Sequence, residues 1–190
     1  MTEAPGPGSD IPFVQHDPDS PGWRDVLRHY IGDLVYGAND GVVTTFAVVS
    51  GVAGAGLSTL TIVILGIVNL LADGFSMGAS NYLAIRSTAM AHLADRGRRE
   101  PFHHACATSL SFIVVGAVPL LPFLVPGAAD RAFGISLVAS GISLFAVGAL
   151  RSSVSTSGWL RCGIEMFAVG MTAALVAYVA GAATAGLVRA

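Results

Sequence analysis

The chain has 190 residues, of which 53% are hydrophobic and only 12% charged, with a formal net charge of -2. Soluble domains carry about a quarter charged residues, so there is too little polar surface here to cover a water-soluble globule, and lipid is the expected solvent. The lack of a basic balance argues against a nucleic-acid partner, and the two cysteines are too few for a disulfide framework.

Residues 1–22 are rich in Pro, Gly, Asp and Ser and read as a disordered tail. They contain no apolar run followed by a small-residue cleavage site, so no signal peptide is expected. From Trp23 to Gly32 the pattern WRDVLRHYIG mixes aromatic and aliphatic residues with Arg and Asp, which predicts a short interfacial helix. Spanning helices need about 20 apolar residues. Five stretches qualify, Leu34–Gly56, Leu60–Ile85, Ala105–Val125, Ala132–Leu150 and Gly163–Val188. Nothing alternates with a period of two, which excludes a porin-like barrel. The expected fold is therefore an all-α integral membrane bundle of five helices over residues 23–190.

Arginine supplies every basic residue, and lysine is absent. With so much Ala, Gly and Val, this suggests a GC-rich bacterial genome and residence in the bacterial plasma membrane as a multi-pass protein. With the N-terminus inside and the C-terminus outside, Arg24, Arg28, Arg86, Arg96, Arg98, Arg99, Arg151 and Arg161 lie on the cytoplasmic side, against Arg131 and Arg189 outside. Positively charged loops favour the cytoplasm, which sets this orientation. Cys106 and Cys162 then sit at cytoplasmic helix ends, where free thiols are expected.

Carboxylates inside a span are costly and usually functional. Asp40 lies in the first span, Asp73 in the second and Glu165 near the start of the fifth. Asn69, Asp73, Met77 and Ser80 or Asn81 fall along one stripe of one helix, offering amide, carboxylate and thioether donors. Oxygen with one soft sulfur suits a borderline cation such as Fe²⁺ better than Mg²⁺ or Ca²⁺. Met77 alone would read as a packing residue; its place beside Asp73 favours a ligand. On the first span Asp33, Gly37, Asp40 and Thr44 form a second stripe. Gly37 and Gly41, and Gly74 and Gly78, are small-xxx-small pairs that let backbones approach, either for packing alone or to bring the two polar stripes together. Gly134, Gly141, Gly148, Gly163 and Gly170 have no polar company and read as packing. Arg161 and Glu165 are spaced for a helix-surface ion pair. His103 and His104 are adjacent, so they cannot share a helix face, and a metal role for them is not favoured. Pro119, Pro122 and Pro126 should kink and then end the third span.

Three blocks carry a resemblance: YGANDGVVTTFAVVSGVAGA at 36–55, NLLADGFSMGASNYLAIRS at 69–87 and RSSVSTSGWLRCGIEMFAVGMTAALVAYVAG at 151–181. Together they are similar to the vacuolar iron transporter family, with likeness extending over about 28–188. The resemblance implies a five-helix homodimer that moves Fe²⁺, and often Mn²⁺, out of the cytosol in exchange for protons. It also implies a path using the first-span aspartate and second-span methionine, which match Asp40 and Met77. Many relatives insert a Glu- and Met-rich helical domain between the second and third spans. Here only about twenty residues stand there, with Asp95 and Glu100 the only carboxylates, and Asn81 stands where many members carry Glu.

The expected function is thus divalent iron or manganese export by proton exchange, through Asp40, Asp73 and Met77, with Asn69, Asn81 and Thr44 as secondary ligands. The partners are the metal ions, the bilayer and a second copy of the chain. No resident cofactor is expected, the metal being cargo. A non-transporting membrane module that binds metal or a partner is the alternative. An enzyme is not expected, since no His/Asp/Ser constellation gathers at one leaflet.

Overall fold

A computed structural model describes residues 23–91, 100–127, 129–154 and 157–189. The expected tail over 1–22, Asp95 and the arginines at 96–99 lie outside the described residues. Five long helices follow one another: α1 (Trp23–Gly54), α2 (Thr59–Ala91), α3 (Pro101–Gly116), α4 (Ala129–Arg151) and α5 (Trp159–Arg189). Short 3-10 segments at Val118–Leu124 and Ser152–Val154 follow α3 and α4.

One expectation is corrected at the start. WRDVLRHYIG is not a separate interfacial helix but the first third of α1, which runs unbroken to Gly54. The segment holds no proline, and its single glycine, Gly32, costs a helix only about 1 kcal/mol. The end of α1 has a local cause. Gly56 takes a φ of +66°, its N–H bonds the Ala53 carbonyl at 2.9 Å, and the Leu57 N–H bonds the Val52 carbonyl at 3.3 Å. Those paired bonds close the helix with glycine in the left-handed region. Ser58 then caps α2, its Oγ accepting from the Thr61 N–H at 3.2 Å.

The third span bends as its prolines predict: α3 and the Val118–Leu124 segment meet at 41°. Proline removes an N–H and crowds the preceding turn. The freed Pro119 carbonyl accepts instead from the Ser136 hydroxyl of α4 at 2.7 Å, in a fully buried position.

Contacts fix the directions of packing. Gly41 meets Phe112 and Gly116, so α1 and α3 run parallel, while Gly66 meets Leu120 and Gly78 meets Ser109, so α2 runs against α3. Gly51 and Gly54 meet Ala177 and Tyr178, which sets α5 parallel to α1. Successive long helices therefore alternate in direction. Helix α1 lies innermost, packed against all four others, with Val42, Thr45, Phe46 and Val49 wholly enclosed. The core joins Phe46 and Val49 to Leu70, Phe112, Leu120 and Ala174.

The outward surface is apolar. Leu60, Val68, Leu71, Phe75, Val138, Ile142, Leu175 and Val176 are all exposed, a face that water would not tolerate but lipid does. Three helices, α2, α4 and α5, are long and apolar enough to cross a membrane, and the bent third pair makes a fourth. The chain is accordingly a multi-pass, all-helical membrane protein among its described residues. Asn39 and Asp40 interrupt the apolar run of α1 and keep it out of that set. Its enclosure by the other helices is what lets it carry them.

Candidate intramembrane carboxylate site

Asp40 stands midway along α1 and Asp73 midway along α2, both half-buried. The two carboxylates lie within electrostatic reach of one another. Neither has an ion-pair partner among the described residues, whose pairs are His103–Glu100, His104–Asp33 and Arg161–Glu165. Asn69 donates from Nδ2 to Asp73 Oδ2 at 2.8 Å, which joins two members of the sequence stripe and leaves Oδ1 uncommitted by that bond. Met77 is half-buried one turn further on and packs against the core cluster. Thr44 turns inward on its own helix, its hydroxyl donating to the Asp40 carbonyl at 2.8 Å. Among the described residues no three His, Cys, Asp or Glu converge as a metal-binding group, so a cation here would rest on the two carboxylates with neutral donors.

The glycine pairs have a different neighbour from the one the stripes suggest. Gly37 abuts Thr108 and Ser111, Gly41 abuts Phe112, Gly74 abuts Ile113 and Gly78 abuts Ser109. Both pairs receive α3, which seats itself between α1 and α2. The heptad-spaced glycines do pack as expected at Gly141, Gly148, Gly163 and Gly170, where Phe167, Met166, Phe145 and Leu144 crowd in, whereas Gly134 faces open space. The Arg161–Glu165 pair also forms, at 3.0 Å on the surface. Both cysteines are free, Cys106 exposed and Cys162 buried.

Asn81 lies elsewhere, about two turns from Asp73 towards the end of the bundle where α3 begins. Its Nδ2 donates to Asp33 Oδ1 at 3.0 Å, to Thr108 Oγ1 at 2.7 Å and to the His104 carbonyl at 3.3 Å. His104 is only 3% exposed, and its Nδ1 meets Asp33 Oδ2 at 2.5 Å while its Nε2 meets His29 Nε2 at 3.2 Å. This cluster escaped the sequence reading, which began the third span at Ala105, after both histidines. Both lie in the first turn of α3; His103 turns outward to Glu100 and His104 turns inward to α1. The available signal was the four-residue spacing of His29 and Asp33 on α1, which puts them on one face.

Asn39, beside Asp40, is a second omission. Its Oδ1 is buried with no hydrogen-bond partner among the described residues, and it lines a cavity of about 360 Å³ with Tyr36, Arg151 and Met166.

Similarity to known proteins follows the same segments. The sequence model of the VIT family matches residues 31–100 and 88–182. A vacuolar iron transporter of Plasmodium berghei (strain Anka) is 35% identical over 81 residues, 43% of this chain but 30% of that protein. Vacuolar iron transporter homolog 1 of Oryza sativa subsp. japonica is 28% identical over 192 residues, 92% of this chain and 77% of the relative. Homolog 5 of the same plant is 30% identical over 160 residues, 72% of this chain and 77% of the relative. The matched part of the chain thus spans less than a third of the parasite transporter and about three quarters of the plant homologs. With the family's pattern running through the carboxylate helices and on to α5, this chain belongs to the VIT family.

Proposed function

We propose that this chain moves divalent iron or manganese across its membrane, out of the cytosol and in exchange for protons, with Asp40, Asp73 and Met77 as the cation's ligands. The observation that carries this reading is the pair of carboxylates on neighbouring helices of an apolar bundle, within reach of each other and without an ion-pair partner among the described residues. A carboxylate withdrawn from water is costly unless it is neutralised or paired. Two of them within one apolar bundle are relieved either by protons or by one divalent cation, and that competition is the simplest basis for exchange. Asn69 would hold Asp73 in place through Oδ2, and the Met77 thioether would favour Fe²⁺ over harder ions. Thr44 is secondary through its nearness to Asp40, whereas Asn81, two turns from Asp73 and bonded to Asp33 and Thr108, is secondary only as a donor further along the path.

The names of the relatives support iron as cargo. Manganese, proton coupling and a homodimeric assembly rest on the family resemblance of the 36–55 and 69–87 blocks. We further propose α1 as a fifth span, since its Asp and Asn are half-buried among the other helices. An N-inside orientation is proposed from the arginine distribution, and a bacterial source from the lysine-free, Ala-, Gly- and Val-rich composition.

Proteoliposomes holding the purified chain test the reading with Fe²⁺, Mn²⁺, Co²⁺ and Zn²⁺, with and without a proton gradient. Fe²⁺ or Mn²⁺ uptake that responds to the gradient is the expected result. Metal binding without flux would instead favour a non-transporting membrane module, a reading that the short segment between α2 and α3 supports.

A further inference from the structure

The end of the bundle where α3 begins holds a second polar centre, which the carboxylate pair does not use. His29 and Asp33 share a face of α1, and His104 and Thr108 share a face of α3. Close packing at Gly37 and Gly41 brings those two faces together. We propose that His29 and His104 form a seat for a divalent transition-metal ion at this end of the bundle, with Asp33 as the carboxylate that orients His104. The seat stands on its own geometry and does not depend on the transport reading.

The spacing of the two nitrogens is the first ground. His29 Nε2 and His104 Nε2 are 3.2 Å apart. Two imidazole nitrogens each about 2.0–2.1 Å from one tetrahedral cation would stand about 3.3 Å apart, so the rings need little movement to close on an ion, the His29 proton passing from Nε2 to Nδ1 through water. The second ground is the backing of His104. Its Nδ1 faces Asp33 Oδ2, so the proton belongs on Nδ1 and the lone pair of Nε2 points at His29. A carboxylate behind the imidazole that binds metal is the usual arrangement for fixing the ring and raising its basicity.

The carboxylate is itself held. Asp33 Oδ1 accepts from Asn81 Nδ2 at 3.0 Å and from the Thr108 hydroxyl at 3.5 Å. Tyr30 packs its ring 4.7 Å from His104 and 4.9 Å from His29, which restricts both imidazoles. His104 is buried while His29 is exposed, so the two nitrogens meet at the rim, where water can complete the coordination shell. Imidazole donors select Fe²⁺, Co²⁺, Ni²⁺ or Zn²⁺ over Mg²⁺ and Ca²⁺. Among the described residues no group of three or more His, Cys, Asp or Glu is placed to hold a metal ion; two imidazoles completed by water make an exchangeable station. Asp33 precedes Asp40 by seven residues on α1, about 10 Å along the helix, so an ion seated here lies two turns from the intramembrane pair.

The test uses tag-free, full-length protein in detergent, with Co²⁺ as probe and its visible absorption as readout. Titration of a background variant carrying Asp40→Asn, Asp73→Asn and Met77→Ala removes the intramembrane ligands and isolates the seat. We expect that variant to retain one Co²⁺ with a nitrogen-ligand spectrum and to lose at least tenfold in affinity when His29→Ala is added. Asp33→Asn should weaken Co²⁺ about 10–100-fold while leaving both imidazoles in place. His29 is exposed, so its removal does not threaten folding, and His104→Gln provides the matching change on α3. No Co²⁺ bound by that background variant, or binding indifferent to His29→Ala, overturns the seat. Neither result bears on flux through Asp40 and Asp73, which the proteoliposomes measure separately.

Discussion

Removing one carboxylate charge at a time separates the work of Asp40 from that of Asp73. Asp73 shares its stripe with Met77 and is held by Asn69, so Asp73→Asn should weaken metal binding directly. Asp40 lies on the enclosed helix beside the tight Gly37 and Gly41 contacts, so Asp40→Asn should abolish flux while some binding survives. Met77→Ala should move preference from Fe²⁺ towards Mn²⁺, because a soft donor is lost. Calorimetry in detergent beside vesicle flux reads all three. Were Asp73 only a folding residue, its Asn variant would melt earlier with its metal affinity unchanged. The surface pair Arg161–Glu165 offers a contrast: both side chains are well exposed, so Glu165→Gln should change stability by less than about 0.5 kcal/mol.

Between elements, glycine decides how closely α3 can lie. A Cβ at Gly41 would run into the Phe112 backbone carbonyl, and one at Gly116 would meet the Gly41 carbonyl at 2.8 Å. Backbone cannot step aside as a side chain can. Gly41→Val should therefore cost about 1–3 kcal/mol or more and lower the melting temperature in detergent. Gly134, with nothing within 4 Å, predicts the opposite: Gly134→Ala should leave the melt unchanged or raise it, by up to about 1 kcal/mol of helix propensity. Ser136→Ala tests the bend after α3. It leaves the buried Pro119 carbonyl without its donor, which should cost about 1–3 kcal/mol. A melt unaltered by Ser136→Ala would mean that another donor, such as water, replaces the hydroxyl.

For the whole molecule the open quantity is direction. Alternating helices gather Arg86, Arg151 and Arg161 at one end and Arg131 and Arg189 at the other. Arg189 is anchored there, its Nη2 donating to the Ala55 carbonyl at the end of α1 at 3.1 Å. In a background lacking Cys106 and Cys162, Arg131→Cys should react with an impermeant maleimide on intact cells and Arg86→Cys should not. The reverse pattern would invert the topology and turn export into import. The segment between α2 and α3 has a test of its own: changing Asp95 and Glu100 together to Ala should leave flux nearly unchanged. A large loss would show that this short segment collects metal.

Much of the protein was legible before any coordinates. Membrane residence, helical class and the bend at Pro119 follow from local rules of hydropathy and proline stereochemistry, which need no knowledge of neighbours. The Arg161–Glu165 pair was also readable from its spacing, as was the shared face of Asn69 and Asp73, though not the hydrogen bond that joins them. What only the tertiary structure decided is which faces meet across long separations in sequence. Gly37 and Gly78 both answer to α3, not to each other. His104 finds Asp33 from 71 residues away, and Asn81 finds Asp33 from 48. Helical periodicity says which residues share a face, but a small residue accepts any helix that fits. The choice of α3 as the partner of both α1 and α2 belongs to the packing of the whole bundle.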